Sequence, residues 1–337
     1  GPGTSRPAME LVRKLYERMR IVWQVYRALA VVAVVAVIAL TARLVIVNRR
    51  IAAIRGGAAD VFYQLKALEL EVARIPTDAP RQEELRRRRA SLEALYDDWL
   101  RRFGETNNGR LDDQAIRAAV VRLGEAGVLV SQDFIGDVRN RIVEWSRTPD
   151  YAKAIRAAAD SGYSARIESV LVAANLPADL KWVAFQESRF RPRAVGPPTR
   201  FGIAKGMWQL IPATARQYGL RLGPLVGQPK YDPRDQRHDV PRSTGAAVRY
   251  MNDLYLLDAQ GSGLLVMACY NAGQTRVLRL LRSLPATPRD RNFWRLLERH
   301  RSQIPDETYG YVVGIVAASA LAAEPSAFSR ARLAGAP

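Results

Sequence analysis

The chain has 337 residues, a formal net charge of +18, and 48% hydrophobic against 25% charged residues, which is enough apolar content for folded cores. Its single cysteine, Cys269, excludes an intrachain disulfide and a cysteine-based zinc site, and two distant histidines, His238 and His300, argue against a histidine-rich metal cluster. With only two histidines, a nucleophilic triad that needs a histidine base is also less favoured. The classes of function left open are carboxylate chemistry, binding and scaffolding.

The excess of positive charge is concentrated near the N-terminus. Residues 1–55 carry ten Arg or Lys and two Glu, a net charge of +8 in the first sixth of the chain. Nucleic-acid binding would therefore rest on charge alone, and a basic surface equally suits anionic membrane lipids. No nucleic-acid partner is expected.

An apolar run at residues 28–47 is interrupted by one charge, Arg43, near its end. Twenty helical residues span the ~30 Å hydrocarbon core of a bilayer, and Arg43 can extend toward the headgroups. Trp23 and Tyr26 precede the run, where interfacial aromatic anchors are expected. The run predicts a single transmembrane helix in the lipid bilayer; a buried core helix is the less favoured alternative.

The flanks of this run fit an uncleaved signal anchor. A cleaved signal peptide would have a shorter apolar region and a small-residue cleavage site, which residues 45–50 do not offer. Residues 1–8 are interpreted as a tag and linker remnant and residues 9–27 as a juxtamembrane segment. Basic residues flank both ends, so charge alone leaves the orientation open.

A helical stalk is predicted for residues 48–104. Apolar residues there recur at alternating spacings of three and four, as in a heptad seam: Ile51, Ile54, Ala58, Val61, Leu65, Leu68, Val72 and Ile75. Pro76 and Pro80 bracket a predicted turn, after which a second amphipathic stretch follows. The pattern fits an antiparallel hairpin or a dimerising coiled coil, so a homo-oligomer through residues 51–103 stays open.

The rest of the chain is predicted to be helical. The pattern breaks near residues 105–109, and a helical spacer at 105–160 is expected to pack on the domain that follows at 161–330. Segments 112–124, 132–147, 149–161 and 164–174 each show helical apolar spacing, and no stretch alternates long enough to build a sheet. The predicted fold class is all-α.

One carboxylate stands on an apolar helix face. Leu180, Val183, Ala184 and Glu187 fall at spacings of three and four after a helix start at Pro177. Partial burial raises the pKa of a Glu toward the working pH, as a general acid requires. On position alone, an ion-paired structural Glu is the commoner outcome.

Four sequence motifs, in a fixed order along the chain, favour a catalytic role for Glu187 over a structural one. They are Glu187-Ser188-Arg189-Phe190, Gly206-Met207-Trp208-Gln209, Ala268-Cys269-Tyr270-Asn271-Ala272-Gly273 and Glu307-Thr308-Tyr309-Gly310-Tyr311. Together they resemble the soluble-type lytic transglycosylase domain, family 23 of the glycoside hydrolases, over roughly residues 134–325. The segment from Arg237 to Thr244 is most similar to the membrane-bound murein transglycosylase D subgroup.

The resemblance implies a lysozyme-like, goose-type catalytic domain in which Glu187 is the single catalytic acid and base. It also implies a sugar-binding groove formed by six further residues: Met207, Gln209, Tyr270, Asn271, Glu307 and Tyr311. These residue types suit the task, because amide side chains match N-acetyl and hydroxyl groups and tyrosine offers a stacking face with a polar tip.

The implied reaction cleaves the β-1,4 bond from N-acetylmuramic acid to N-acetylglucosamine in peptidoglycan glycan strands and forms 1,6-anhydro-N-acetylmuramic acid. Neither a metal nor another cofactor is expected. A catalytic domain facing the cell wall implies a single-pass protein of the inner (cytoplasmic) membrane, with a cytoplasmic N-terminus and a periplasmic catalytic domain. The alternative is a non-catalytic peptidoglycan-binding scaffold of an envelope assembly.

The chain departs from the family pattern at the edge of the groove. Gly196 stands where the family usually has a serine, and the loop from Gly196 to Ala204 is about four residues longer than usual, with Ile203 in place of a glycine. These departures concern the groove edge and substrate preference more than the reaction.

Overall fold

A computed structural model describes residues 6–74, 79–106 and 110–329, which divide into two compact units, Gly1–Ile54 and Arg55–Pro337. The helices are α1 (Arg6–Arg74), α2 (Ala79–Thr106), α3 (Leu111–Arg122), α4 (Gln132–Ser146), α5 (Asp150–Asp160), α6 (Tyr163–Ala173), α7 (Trp182–Ser188), α8 (Pro212–Gln217), α9 (Val240–Asp253), α10 (Gly263–Ala272), α11 (Gln274–Leu281), α12 (Phe293–His300), α13 (Asp306–Ala323) and α14 (Pro325–Ser329). The strands are β1 (Val195–Thr199) and β2 (Gly202–Lys205).

The first unit is helical throughout its described residues. Every side chain from 28 to 47 is exposed, although most are large and apolar, and α1 is long and apolar enough to cross a membrane. Arg27 lies over the ring of Trp23 at 4.6 Å, just before the apolar run. A contiguous exposed apolar surface of this size marks a binding surface for lipid or protein.

In the second unit, the last turns of α1 and the helix α2 pack antiparallel. Gly57 lies against the indole of Trp99, which a Cβ would meet at 2.6 Å. Five residues later Phe62 contacts Tyr96, with ring centroids 5.6 Å apart. Gly57 and Phe62 of α1 thus pack against α2 within the chain, as the hairpin interpretation expects. Ile75, the last residue of the predicted seam, and Pro76 lie outside the described residues.

The same stretch of α1 also packs on the helices that follow. The Tyr63 hydroxyl donates to Oε1 of the fully buried Glu125 at 3.2 Å. The Lys66 ammonium donates to the Tyr255 hydroxyl and to Glu69, each at 2.9 Å. Residues 55–74 are therefore part of the second compact unit and not a separate stalk.

Helix α13 forms the centre of the second unit. It packs against α3, α4, α7 and α10, and its residues from 311 to 320 are all buried. The approach to α7 is close, because a Cβ on Gly314 would lie 2.7 Å from Oε1 of Gln186. The all-α prediction is confirmed, and helices predicted at 112–124, 132–147, 149–161 and 164–174 correspond to α3, α4, α5 and α6.

A short hairpin was not predicted. Strands β1 and β2 pair antiparallel, with Val195 opposite Lys205 and Thr199 opposite Gly202, and a register shift between Val195 and Pro198. Pro197 and Pro198 break the alternation that identifies strands in sequence. The prediction that no stretch forms a sheet is wrong for these nine residues.

Candidate active site

Glu187 lies in the last turn of α7, with its apolar neighbours inside the core. Leu180, Val183 and Ala184 are fully buried, while Glu187 is half-buried and reaches the surface. Burial raises the pKa of Glu187 to about 7, and a hydrogen bond from Tyr311 opposes part of that rise. A carboxyl group with this pKa holds a proton near neutral pH and can release it, which suits acid–base catalysis.

The backbone turns sharply directly after Glu187. Arg189 and Phe190 both have a φ of +57°, in the left-handed region that is unfavourable for residues with a side chain. Backbone strain of this kind is maintained only where surrounding contacts over-determine it, and it concentrates at functional sites. Here the Ser188 hydroxyl, which is buried, donates to the Met207 carbonyl at 2.7 Å and ties the end of α7 to the Gly206–Gln209 motif.

Two tyrosines from different helices converge on this region. The Tyr311 hydroxyl, on α13, donates to Oε1 of Glu187 at 2.7 Å. The Tyr270 hydroxyl, on α10, donates to the Trp208 carbonyl at 2.7 Å. Burial and then the neighbouring charge of Glu187 raise the pKa of both tyrosines well above the usual value, so both stay protonated donors.

Asn271 follows Tyr270 and is oriented by α13. It is half-buried, and its Oδ1 accepts a hydrogen bond of 2.8 Å from the Thr308 hydroxyl. Glu307, in the first turn of α13, is exposed and lies four residues before Tyr311, on the same helix face. Sequence reasoning missed Thr308, although it stands inside a quoted motif next to Glu307.

Gln209 is held in an unusual conformation at the end of its motif. It has a φ of +45°, and its Nε2 donates to the Gly206 carbonyl at 2.7 Å. A Cβ on Gly196 would lie 2.9 Å from Oε1 of Gln209. A side chain at position 196 would therefore collide with the Gln209 amide in its observed position. This contact explains why glycine fits here, where the family usually has a serine.

Met207 does not reach the surface. Its side chain is 0% exposed and belongs to the hydrophobic core, so in this structure it cannot touch a sugar. The predicted sugar contact is therefore replaced by a structural role, in which the Met207 backbone carbonyl receives the Ser188 hydroxyl. The sequence pattern could not separate these roles, because a methionine beside Trp208 suits a core and a groove equally well.

A buried ion pair is hydrogen-bonded to the backbone on both sides of the Gly206–Gln209 motif. Arg237 and Asp235 are paired at 2.7 Å with both side chains 0% exposed. Arg237 Nη1 also donates to the carbonyls of Ile203 at 2.7 Å and Leu210 at 3.0 Å. At Gly206, whose φ is +83°, a Cβ would meet the Arg237 carbonyl at 1.8 Å, so only glycine fits.

Two other acids of this domain, Asp232 and Asp239, have structural partners. Asp232 accepts backbone N–H groups of Leu225 and Arg234, and Asp239 accepts the Arg242 N–H at the start of α9. Among the described residues, no second carboxylate hydrogen bonds to Glu187 or contributes to its pKa shift. The residues in the described ranges also bring together no group of three or more His, Cys, Asp or Glu that could hold a metal ion.

Comparison with known proteins identifies the class of this domain. Residues 172–292 match the family described as the transglycosylase SLT domain. Over these residues the chain matches the transglycosylase SLT domain, whose fold is lysozyme-like, and the resemblance seen in the motifs is confirmed for this stretch.

Two of the individual relatives are membrane-bound enzymes by name. Over 145 residues, 43% of this chain, it is 34% identical to membrane-bound lytic murein transglycosylase D of Escherichia coli strain K12 and of strain O6:H1. It is also 32% identical over 110 residues, 33% of this chain and 47% of the relative, to a putative tributyltin chloride resistance protein of Alteromonas sp. strain M-1. The match spans only 28% of the length of the first two relatives, and no solved structure matches the chain significantly.

Proposed function

We propose that the protein is a membrane-anchored lytic transglycosylase that cleaves the β-1,4 bond between N-acetylmuramic acid and N-acetylglucosamine in peptidoglycan. The observation that carries the proposal is Glu187, a single half-buried carboxyl group with a pKa of about 7 and no second carboxylate bonded to it among the described residues. The domain family and the relatives named for this activity support it.

The mechanism needs only this carboxyl group. Protonated Glu187 gives its proton to the glycosidic oxygen as the bond from that oxygen to the anomeric carbon breaks. The resulting carboxylate takes the proton of the sugar's own 6-hydroxyl, whose oxygen then bonds to the anomeric carbon and closes the 1,6-anhydro ring. Glu187 ends protonated, as it began, and no water is consumed.

An ordinary glycosidase differs in using two carboxyl groups, one as acid and one as base or nucleophile. Here the Tyr311 hydroxyl stabilises the carboxylate form that appears midway, because it donates to Oε1 of Glu187. Gln209, Tyr270, Asn271, Glu307 and Tyr311 are proposed to line the groove for the glycan strand.

The reaction product distinguishes the proposed transglycosylase from a hydrolase and from a non-catalytic scaffold. Purified sacculi incubated with the full chain in detergent are expected to release muropeptides with 1,6-anhydro ends, identified by mass spectrometry as lighter by one water than hydrolysed ones. Reducing ends instead would indicate a hydrolase. Binding to sacculi without any soluble product would indicate a non-catalytic scaffold, and either result contradicts the proposal.

The location proposed is the inner membrane, with residues 28–47 in the bilayer, the N-terminus in the cytoplasm and the catalytic domain in the periplasm. The fully exposed apolar run supports the anchor. The substrate supports the orientation, because peptidoglycan lies outside the cytoplasmic membrane and the domain must be on that side to reach it.

The pH dependence of the reaction should follow Glu187. Since the acid form starts the reaction, kcat/KM is expected to fall as the pH rises through about 7, the pKa to which burial raises this group. The Tyr311 hydrogen bond favours the carboxylate and lowers that pKa, so Tyr311→Phe is expected to move the alkaline limb to higher pH. The measurement is the rate of muropeptide release against pH for both proteins.

The matched control is Tyr309→Phe, on the same helix. The Tyr309 hydroxyl donates to Asp137 at 2.7 Å and does not contact Glu187. The alkaline limb of the pH–rate profile of this variant should therefore lie at the same pH as that of the wild type. An alkaline limb that stays in place, or moves to lower pH, in Tyr311→Phe would contradict the assigned role of this hydrogen bond.

A further inference from the structure

Helix α13 contacts two site residues with two side chains one turn apart. Tyr311 donates to Glu187 at 2.7 Å, and Thr308, three residues earlier, donates to Asn271 at 2.8 Å. The two donors lie on the same helix face and are about 4.5 Å apart along the axis. One rigid element thus holds both the acid and an amide of the proposed groove.

The Thr308 hydroxyl bonds outside its own helix. Thr308 lies in the first turn of α13, which begins at Asp306, so no residue four positions earlier in that helix can accept its hydrogen bond. Here the hydroxyl reaches to a different helix, α10, and Thr308 is only 2% exposed while Asn271 is half-buried at the surface. The buried partner therefore orients the accessible one.

The chemistry of an amide side chain makes this contact directional. Asparagine has a carbonyl oxygen that accepts hydrogen bonds and an NH₂ group that donates two. Because Thr308 donates to Oδ1, the oxygen end of Asn271 is held against α13 and the NH₂ end is left for the groove. A rotation by half a turn would present an acceptor instead.

We infer that Thr308 is a positioning residue that fixes the Asn271 amide with its NH₂ toward the groove, so that Asn271 recognises a hydrogen-bond acceptor of the glycan, such as an N-acetyl carbonyl oxygen. The inference rests on the proposed function, since it deepens the description of the same groove. Thr308 itself touches no substrate and acts only through Asn271.

The first test is Thr308→Val, which removes the hydroxyl at nearly constant volume. The full chain in detergent is assayed on solubilised peptidoglycan strands. KM is expected to rise about tenfold, the cost of one lost hydrogen bond, with kcat within about twofold of wild type. Thr308→Ser keeps the hydroxyl and should restore KM to within about twofold of the wild-type value.

A purely structural role would give a different result. The control is Ser319→Ala on the same helix. Ser319 lies about 16 Å from Thr308 along the helix axis. Its buried hydroxyl donates to Asp179. The melting temperatures of Ser319→Ala and Thr308→Val are measured together, and the KM of Ser319→Ala should stay at the wild-type value. If KM follows the melting temperature in both variants, the positioning role is wrong.

Asn271→Asp tests the direction of the amide even if Thr308→Val does not fold. Aspartate keeps an oxygen for the Thr308 hydroxyl but replaces the NH₂ donor by an acceptor, so KM should rise more than tenfold. An unchanged KM would mean that an oxygen already faces the groove, and the inference fails. Release of no anhydro product by the wild-type chain would instead refute the proposed function itself.

Discussion

Glu187→Gln is expected to lower the rate of anhydro-muropeptide release by roughly 10²–10⁴-fold, the range that general acid–base catalysis contributes. The amide has nearly the shape of the carboxyl group and can still accept the Tyr311 hydroxyl, but it can neither give a proton to the glycosidic oxygen nor take one from the 6-hydroxyl. Both steps lose their catalyst, so the loss should appear in kcat. The measurement is single-turnover release from sacculi, quantified by mass spectrometry.

The comparison variant is Glu168→Gln, the same change on a carboxylate of α6 that pairs with Lys181 at 2.9 Å. This pair is partly exposed and does not contact Glu187, so release should stay near the wild-type rate. A Glu187→Gln protein that retains more than about a tenth of the wild-type rate would remove Glu187 from the mechanism. A matching loss in Glu168→Gln would show that the effect is not specific to the acid.

Asp235→Ala should give the largest loss of stability, about 3–5 kcal/mol in the free energy of unfolding. Burial disfavours the charge of Asp235, but the hydrogen bonds and the charge of Arg237 outweigh it and hold the pKa of Asp235 below its usual value. Without Asp235, the fully buried Arg237 guanidinium loses the carboxylate with which it pairs. Because Arg237 also donates to the carbonyls of Ile203 and Leu210, the Gly206–Gln209 motif should loosen as well.

Chemical denaturation monitored by circular dichroism measures this loss. Glu298→Ala, which breaks the largely exposed pair with Arg295, should cost less than about 1 kcal/mol and serves as the control. Replacing both members of the buried pair by apolar residues of similar size, Asp235→Leu with Arg237→Met, should recover part of the loss, because no unpaired charge remains. A loss in Asp235→Ala no larger than in Glu298→Ala would contradict the structural importance of the pair.

The sequence was most informative where the relevant interactions are local. Helices α3 to α6 begin and end within two residues of the predicted segments, and Glu187 was placed correctly on the apolar face of its helix. Both predictions depend only on the 3.6-residue repeat and on which side chains prefer the interior. Resemblance to a family then supplied the role of Glu187, which position alone left open.

The contacts that orient the site could not be predicted in the same way. Tyr311 and Glu187 are separated by 124 residues, and Thr308 and Asn271 by 37, so their hydrogen bonds depend on how α13 packs between α7 and α10. The buried Arg237 was equally hidden, since an arginine is expected at the surface unless a partner is known. Only the packed structure shows that partner, Asp235.

The hydrogen bond from Tyr311 of α13 to Glu187 of α7 has a consequence for the entropy of the proposed reaction. A free glutamate side chain loses up to about 2 kcal/mol of rotational freedom when it is fixed in one orientation. In this protein Tyr311 and the surrounding core restrict Glu187 in the folded chain already, before any glycan arrives. That cost is met once, during folding, and is not repeated in each catalytic cycle.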